Sequence, residues 1–206
     1  MGDVWGWGDS VGADLWRTTG DITDTWTSMS SIGFAHSDRG YRVGPSAWND
    51  PDMLVVGRLG WGSNPRENRL GGNEQITHIT LWSMLAAPLL IGCDLTQVDD
   101  FTKRLLMNHD VIEIDQDPLG KPAKRVHQDG QTEVWARPLA DGSYAVALFN
   151  RGSSRTNIGA NWQRDLGISG APKVRDLWRR RDLGNKSGGY SAAVPAHGAM
   201  LFRVSP

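Results

Sequence analysis

The chain has 206 residues and a formal net charge of −1, with 22 lysines and arginines against 23 aspartates and glutamates. That balance leaves no electrostatic footprint for nucleic acid, and no apolar run approaches the roughly 18 residues of a membrane span. The single cysteine, Cys93, excludes an intrachain disulfide and leaves the redox compartment unreadable.

Residues 1–15 form a loop rich in glycine and tryptophan, without helical or strand period, in which Trp5 and Trp7 are the exposed candidates. Ten tryptophans in all is an unusual number, and their flat faces suit either a core or a sugar ring. Residues 16–21, Trp-Arg-Thr-Thr-Gly-Asp, read as a strand delivering Asp21 to its end, with Arg17 four residues earlier. The bland alternative is that Asp21 only caps the following helix and Arg17 pairs with it on the surface. A helical spacing then runs from about residue 22 to residue 34. Residues 35–43 are a polar turn, and Ala47-Trp48-Asn49-Asp50-Pro51-Asp52-Met53-Leu54 is a second strand.

Residues 55–72 make a long loop carrying five glycines and Pro65, of the kind that edges a pocket. Asn73 reads as an N-cap with Glu74 in the first turn, and Ile76, Ile79, Trp82 and Leu85 trace one face of an amphipathic helix. Pro88 stops it. Ala86 to Leu95 reads as a buried parallel strand in which Cys93 is a structural thiol, and a further helix spans about 97–108. Three strand–helix units imply parallel strands with crossover helices. A closed eight-unit barrel typically needs about 250 residues, so the earlier units are expected upstream of residue 1 and no leader is read there.

After Pro118 the period changes. Glu133–Pro138 and Ser143–Asn150 read as strands joined by an Asp141-Gly142 hairpin, and Lys173–Arg180 and Ala199–Val204 continue an antiparallel sandwich. Arg175 to Arg181, with Trp178 among them, is a basic cluster that reads as a solvated face. Asn49, Asp50 and Asp52 could be imagined around calcium, but lack the glycine turn and distal glutamate of a known loop. His36, His78, His109, His127 and His197 have no paired spacing for zinc and read as surface or capping residues.

Taken together, Trp-Arg-Thr-Thr-Gly-Asp-Ile, Trp-Asn-Asp-Pro-Asp-Met-Leu, Ala-Pro-Leu-Leu-Ile-Gly-Cys-Asp-Leu and the run from Val111 to Gly120, in that order, resemble glycoside hydrolase family 27, the α-galactosidase-type enzymes. The resemblance covers essentially the whole chain. It implies the C-terminal part of a (β/α)8 TIM barrel over residues 1–118 and an antiparallel Greek-key β-sandwich over 119–206. It also implies a retaining exo-glycosidase acting on terminal α-galactosides without metal or cofactor, with a secreted or periplasmic setting for the full-length enzyme. The substrate would be a galactose-containing oligosaccharide or glycoconjugate, with no nucleic acid or membrane partner. Asp21 maps onto the family's acid/base; Arg17, Asp52 and Met53 map onto its substrate pocket, and Trp5 is a candidate wall. Asp50 reads as structural, directed away from the pocket. The family's nucleophile belongs to a Lys-x-Asp-type motif that this chain does not contain. The alternatives are a related enzyme acting on β-L-arabinopyranosides, α-N-acetylgalactosaminides or isomaltosyl linkages, and a non-catalytic carbohydrate-binding remnant.

Overall fold

A computed structural model describes residues 3–36, 44–60 and 64–206. Strands β1 (Leu15–Arg17) and β2 (Trp48–Asp50) pair in parallel, with Leu15 opposite Trp48 and Arg17 opposite Asp50. A third extended segment joins the pair through a parallel bridge between Leu54 and Ile91. Helices follow each in turn: α1 (Trp26–His36), α2 (Gly72–Leu85) and α3 (Asp100–Leu106). The strand–helix alternation is therefore as expected, with shifted bounds. The strand toward Asp21 stops at Arg17, leaving a loop up to α1, and Pro51, which has no N–H to give a ladder, follows the end of β2. Most of the polar turn expected over 35–43 lies outside the described residues.

Three local expectations are corrected. The N-cap of α2 is Gly71, two residues before Asn73, and Glu74 Oε2 accepts the Gly71 N–H at 2.8 Å. The helix expected over 97–108 begins at Asp100, where Asp99 caps it by accepting the Thr102 N–H at 2.7 Å, and a separate helix α4 (His109–Asp115) occupies the junction into the second domain. The segment before Gly92 is not a buried strand: Leu90 and Ile91 are 49% and 46% exposed, because β2's continuation is the one strand neighbour it has among the described residues. Cys93 there is half-buried, and burial pushes its thiol up.

The second domain is antiparallel. Strands β3 (Lys124–Asp129), β4 (Thr132–Pro138) and β5 (Tyr144–Asn150) belong to a six-stranded sheet with β7 (Lys173–Asp176), β8 (Arg181–Asn185) and β10 (Ala199–Ser205). Their order is β3-β4-β5-β10-β7-β8, so the last strand returns between β5 and β7. Strands β6 (Thr156–Asn161) and β9 (Gly189–Val194) form the facing sheet. Gly142, at φ 83°, turns the β4–β5 hairpin as its Asp-Gly sequence requires. The strand expected over 173–180 instead breaks after Asp176, and its second half is a turn containing Arg180 at φ 51°.

The large sheet is buried on both faces, and the two-residue period of a strand assigns the sides. Val146 and Leu148 join Ile158 and Val194 in the sandwich core. Ala145, Ala147 and Phe149 turn the other way, into one core with Trp135, Phe34 and the residues of α2. Phe34 of α1 meets Trp135 and Phe149 edge-on at 5.9 and 5.2 Å.

Helix α2 is consequently not amphipathic. From Thr77 to Leu85 every residue is buried, because barrel strands lie on one side and the sandwich on the other. Its polar residues divide accordingly. Gln75 Oε1 accepts the Gly57 N–H, His78 Nε2 accepts the Val55 N–H, and Trp82 Nε1 donates to Asp52 O, all toward the strands. Thr77 and Thr80, three residues apart, face the sandwich: Thr77 donates to His197 O at 2.7 Å and Thr80 Oγ1 accepts from Trp178 Nε1 at 2.8 Å. At the next such step Ser83 O accepts from Arg137 Nη1. The histidine reading fails at His36 and His78, which are buried; burial drives His78 down to about 3, so it stays neutral and serves as an acceptor.

Candidate active site

Of the residues singled out by sequence, Arg17, Asp21, Asp52 and Met53 lie together where β1 and β2 end, and Trp5 stands apart on the turn before β1. Beyond Arg17 the seam continues through side chains: Thr18 Oγ1 donates to Asp50 O at 3.2 Å and Thr19 Oγ1 to Pro51 O at 3.0 Å. Thr18 Oγ1 also lies 2.6 Å from His36 Nε2 at the end of α1. These bonds carry the paired register past the proline and fix the loop that presents Asp21.

Arg17 is the hub. Its Nη2 reaches Asp52 Oδ2 at 2.9 Å, Asp21 Oδ1 at 3.2 Å and Thr19 O at 3.3 Å. The two carboxylates are in opposite situations. The Asp21 side chain is 92% exposed, whereas the Asp52 side chain is 6% exposed. Asp52 Oδ2 also accepts the Ile22 N–H at 2.7 Å, and Oδ1 accepts the Met53 N–H at 2.8 Å.

Asp52 sits at φ 95°, a left-handed conformation that costs a non-glycine residue about 1–3 kcal/mol. Its surroundings hold it there: Asp50 Oδ1 accepts its N–H at 2.8 Å and Trp82 Nε1 donates to its carbonyl at 2.7 Å. Asp50 thus supports the Asp52 turn, and burial pushes its carboxyl up against the Asp52 N–H bond and the Arg17 charge. Asn49 Oδ1 accepts from Trp16 Nε1 at 2.8 Å. Asn49, Asp50 and Asp52 each accept at least one hydrogen bond from the chain itself. Among the described residues no group of three or more histidine, cysteine, aspartate or glutamate side chains is placed to hold a metal.

Met53 is half-buried beside this turn, and a Cβ added at Gly92 would overlap its sulfur, so the glycine makes room for it. Trp5 is half-buried on a short 3-10 turn, Val4–Gly6, ahead of β1, and Trp7 after it is exposed.

One arrangement gave no sequence signal. Asp24 is buried and accepts from Arg66 through both Nη atoms at 2.7 and 2.8 Å, and from Arg69 through its N–H, Nε and Nη2 at 2.7–3.0 Å. Burial opposes its charge, but the arginine hydrogen bonds outweigh it and hold the carboxyl well below the usual range. The pair pins the loop after β2 onto the loop after Asp21. An Arg-x-x-Arg spacing in a polar loop carries no hint of a carboxylate more than forty residues earlier.

Two family profiles match the chain. One, described as alpha galactosidase A, covers residues 10–117, and the other, the alpha galactosidase C-terminal beta sandwich domain, covers 129–204. An alpha-galactosidase of Cyamopsis tetragonoloba is 40% identical over 98% of this chain and 48% of its own length. A Bacteroides fragilis structure described as an alpha-galactosidase/melibiase superposes with TM-score 0.87 at 33% identity, over 98% of this chain and 45% of that one. A family 27 β-L-arabinopyranosidase of Geobacillus stearothermophilus superposes with TM-score 0.86 at 31% identity, over 94% and 45%. The chain spans about half the length of the curated relatives it matches. With its three barrel strands, its sandwich and the Arg17-centred carboxylates, the chain belongs to glycoside hydrolase family 27, as the C-terminal portion of the barrel with the C-terminal β-sandwich domain.

Proposed function

We propose that this chain carries the acid/base half of a retaining α-galactosidase. The observation that supports it is the pairing at Arg17: one guanidinium holds a buried carboxylate, Asp52, and an exposed one, Asp21, at the C-terminal ends of parallel strands. In a (β/α)8 barrel that end is where catalysis takes place. Asp21 donates its proton to the glycosidic oxygen as the bond to the anomeric carbon breaks, then takes a proton from the water that releases the sugar. Arg17 binds substrate hydroxyls with its free N–H groups. Asp52 anchors Arg17, and Met53 lines the sugar's path with Trp5 as a more distant wall.

The retaining reaction needs a second carboxylate about 5–5.5 Å from the first as nucleophile. Asp52 does not fill that role in this reading, since both its oxygens accept bonds from Arg17 and two backbone amides. The nucleophile is therefore supplied by chain outside these 206 residues, and residues 1–206 alone do not turn over.

The test is Asp21→Asn in the longer polypeptide that supplies the nucleophile. Hydrolysis of an unactivated α-galactoside should fall about 10²–10⁴-fold, an aryl α-galactoside with a good leaving group should lose far less, and azide should rescue it with retained configuration. Equal losses without rescue would refute the assignment, as would turnover by residues 1–206 alone. Aryl β-L-arabinopyranoside belongs in the same assay. That sugar is α-galactopyranose without its hydroxymethyl group, and a preference for it would shift the reading toward the Geobacillus relative's activity.

A further inference from the structure

A second cleft lies on the seam between the domains and shares no residue with the Arg17 group. It encloses about 490 Å³, within the range of ligand sites. Helices α2 and α3 form one wall, and the turn after β7 with the ends of β9 and β10 forms the other. Its charged lining consists of three arginines, Arg104, Arg155 and Arg179, and one carboxylate, Asp176. Asp176 is buried and already committed: it accepts the Arg179 N–H and Nη1, both at 3.0 Å. The net charge of the cleft is thus positive on a chain whose total is −1.

The apolar lining includes Phe101 and Trp178, and Trp178 is held in place by its Nε1–Thr80 Oγ1 bond. A fixed indole beside exposed guanidiniums matches a ligand with an apolar face and an anionic substituent. Arg179 is pre-oriented by Asp176, while Arg104 and Arg155 are exposed on the facing elements. The basic cluster around Trp178 thus contributes to a concave surface, where a solvated strand face was expected.

We propose that this cleft binds an acidic sugar residue, a uronate or sulfate ester, of a glycan chain. The pyranose C–H face lies on Trp178 and Phe101, and its anionic group bridges the arginines. The choice of a sugar over an acidic peptide rests on the glycosidase reading above; the charge and shape do not.

The test is calorimetric titration of the intact protein carrying Asp21→Asn, so that no hydrolysis interferes, using α-1,4-trigalacturonate as probe. Saturable binding, weakened by added salt and undiminished by excess free galactose, is expected. Arg155→Glu and Arg104→Glu, both at exposed positions that need not disturb folding, should each weaken it by about tenfold or more, the scale of one lost charge-assisted contact. The same substitutions in the otherwise native enzyme should leave aryl α-galactoside hydrolysis unchanged, so this inference and the catalytic reading fail separately. No saturable binding would overturn it, as would binding indifferent to both substitutions or displaced by galactose. Tighter binding of a hexa-glutamate peptide than of trigalacturonate would also overturn it.

Discussion

The two halves of this chain bury their strands in different ways. In the sandwich, β4, β5 and β10 run seven residues each and their sheet is covered on both faces. In the barrel part, β1 and β2 run three residues, and Leu15, Leu90 and Ile91 are 44–49% exposed. Parallel strands depend on neighbours from distant chain, whereas antiparallel hairpins supply their own. Stability therefore concentrates in the sandwich and the helices packed on it, while the Arg17 group with its two carboxylates sits at the ends of the short, open strands. Between them, α2 has polar groups directed both ways.

The sharpest way to break this comparison is in the shared core. Trp135→Ala should destabilise the chain by about 3–5 kcal/mol, read by denaturant unfolding, because the indole is fully buried against Phe34 and Phe149 and its Nε1 bonds Glu133 at 2.7 Å. A loss under 1 kcal/mol would mean that the sheet and α1 are not one cooperative unit.

Next is Arg137, buried on β4, which donates to Ser83 O and, at 3.2 Å, to Asp115 O. Arg137→Ala strands those acceptors and should cost about 3 kcal/mol, with separation of the barrel and sandwich transitions in a thermal scan. A single transition, shifted or not, would show that the seam does not depend on this side chain.

Asp24→Asn removes the charge from the Arg66–Arg69 clamp and should cost about 1–3 kcal/mol. Amide exchange should rise first in the loop after β2, and uniform protection there would count against the clamp.

A pH effect of smaller size comes from Asp115. Burial pushes its carboxyl up to about 7, against the Gln116 hydrogen bond and the Arg137 charge. The protonated acid is the form the fold prefers. Its contribution is complete below the unfolded value near 4 and is lost as pH rises through about 7. Asp24 acts with the opposite sign, its contribution being present above about pH 4 and lost in stronger acid. Between pH 4 and 7 stability should thus decline, and Asp115→Asn should flatten that decline. An unchanged slope would remove Asp115 as its source.

The smallest expected change is the most telling for the open half. Asp21→Asn alters a side chain that is 92% exposed, so stability should move by no more than about 0.5 kcal/mol while hydrolysis of an unactivated α-galactoside by the longer polypeptide falls steeply. Trp82→Phe lies between the halves. It removes the bond to Asp52 O and should lower kcat/KM by loosening the Arg17 anchor, beyond what its modest destabilisation explains. Unchanged kinetics would make Trp82 purely a packing residue.

The strand–helix alternation, the change of period after Pro118 and the Asp-Gly hairpin were legible from the chain because each rests on local pattern, and the grouping of Arg17, Asp21 and Asp52 was implied by the resemblance of their motifs to family 27. Lengths were less so: the strand bearing Asp21 stops four residues early because Pro51 offers no N–H opposite, a condition set by the partner strand. Three features belong to tertiary structure alone. Helix α2 looked one-sided because helical period reports apolar spacing, and its threonines are buried only because a sandwich packs over them. Asp52 takes a left-handed backbone, which an X-Asp-Met sequence does not demand and which Arg17, Trp82, Asp50 and two amides jointly impose. The Asp24 clamp joins residues 42 and 45 positions apart. Local sequence encodes which groups are available; which of them meet in a buried, low-dielectric place depends on long-range packing.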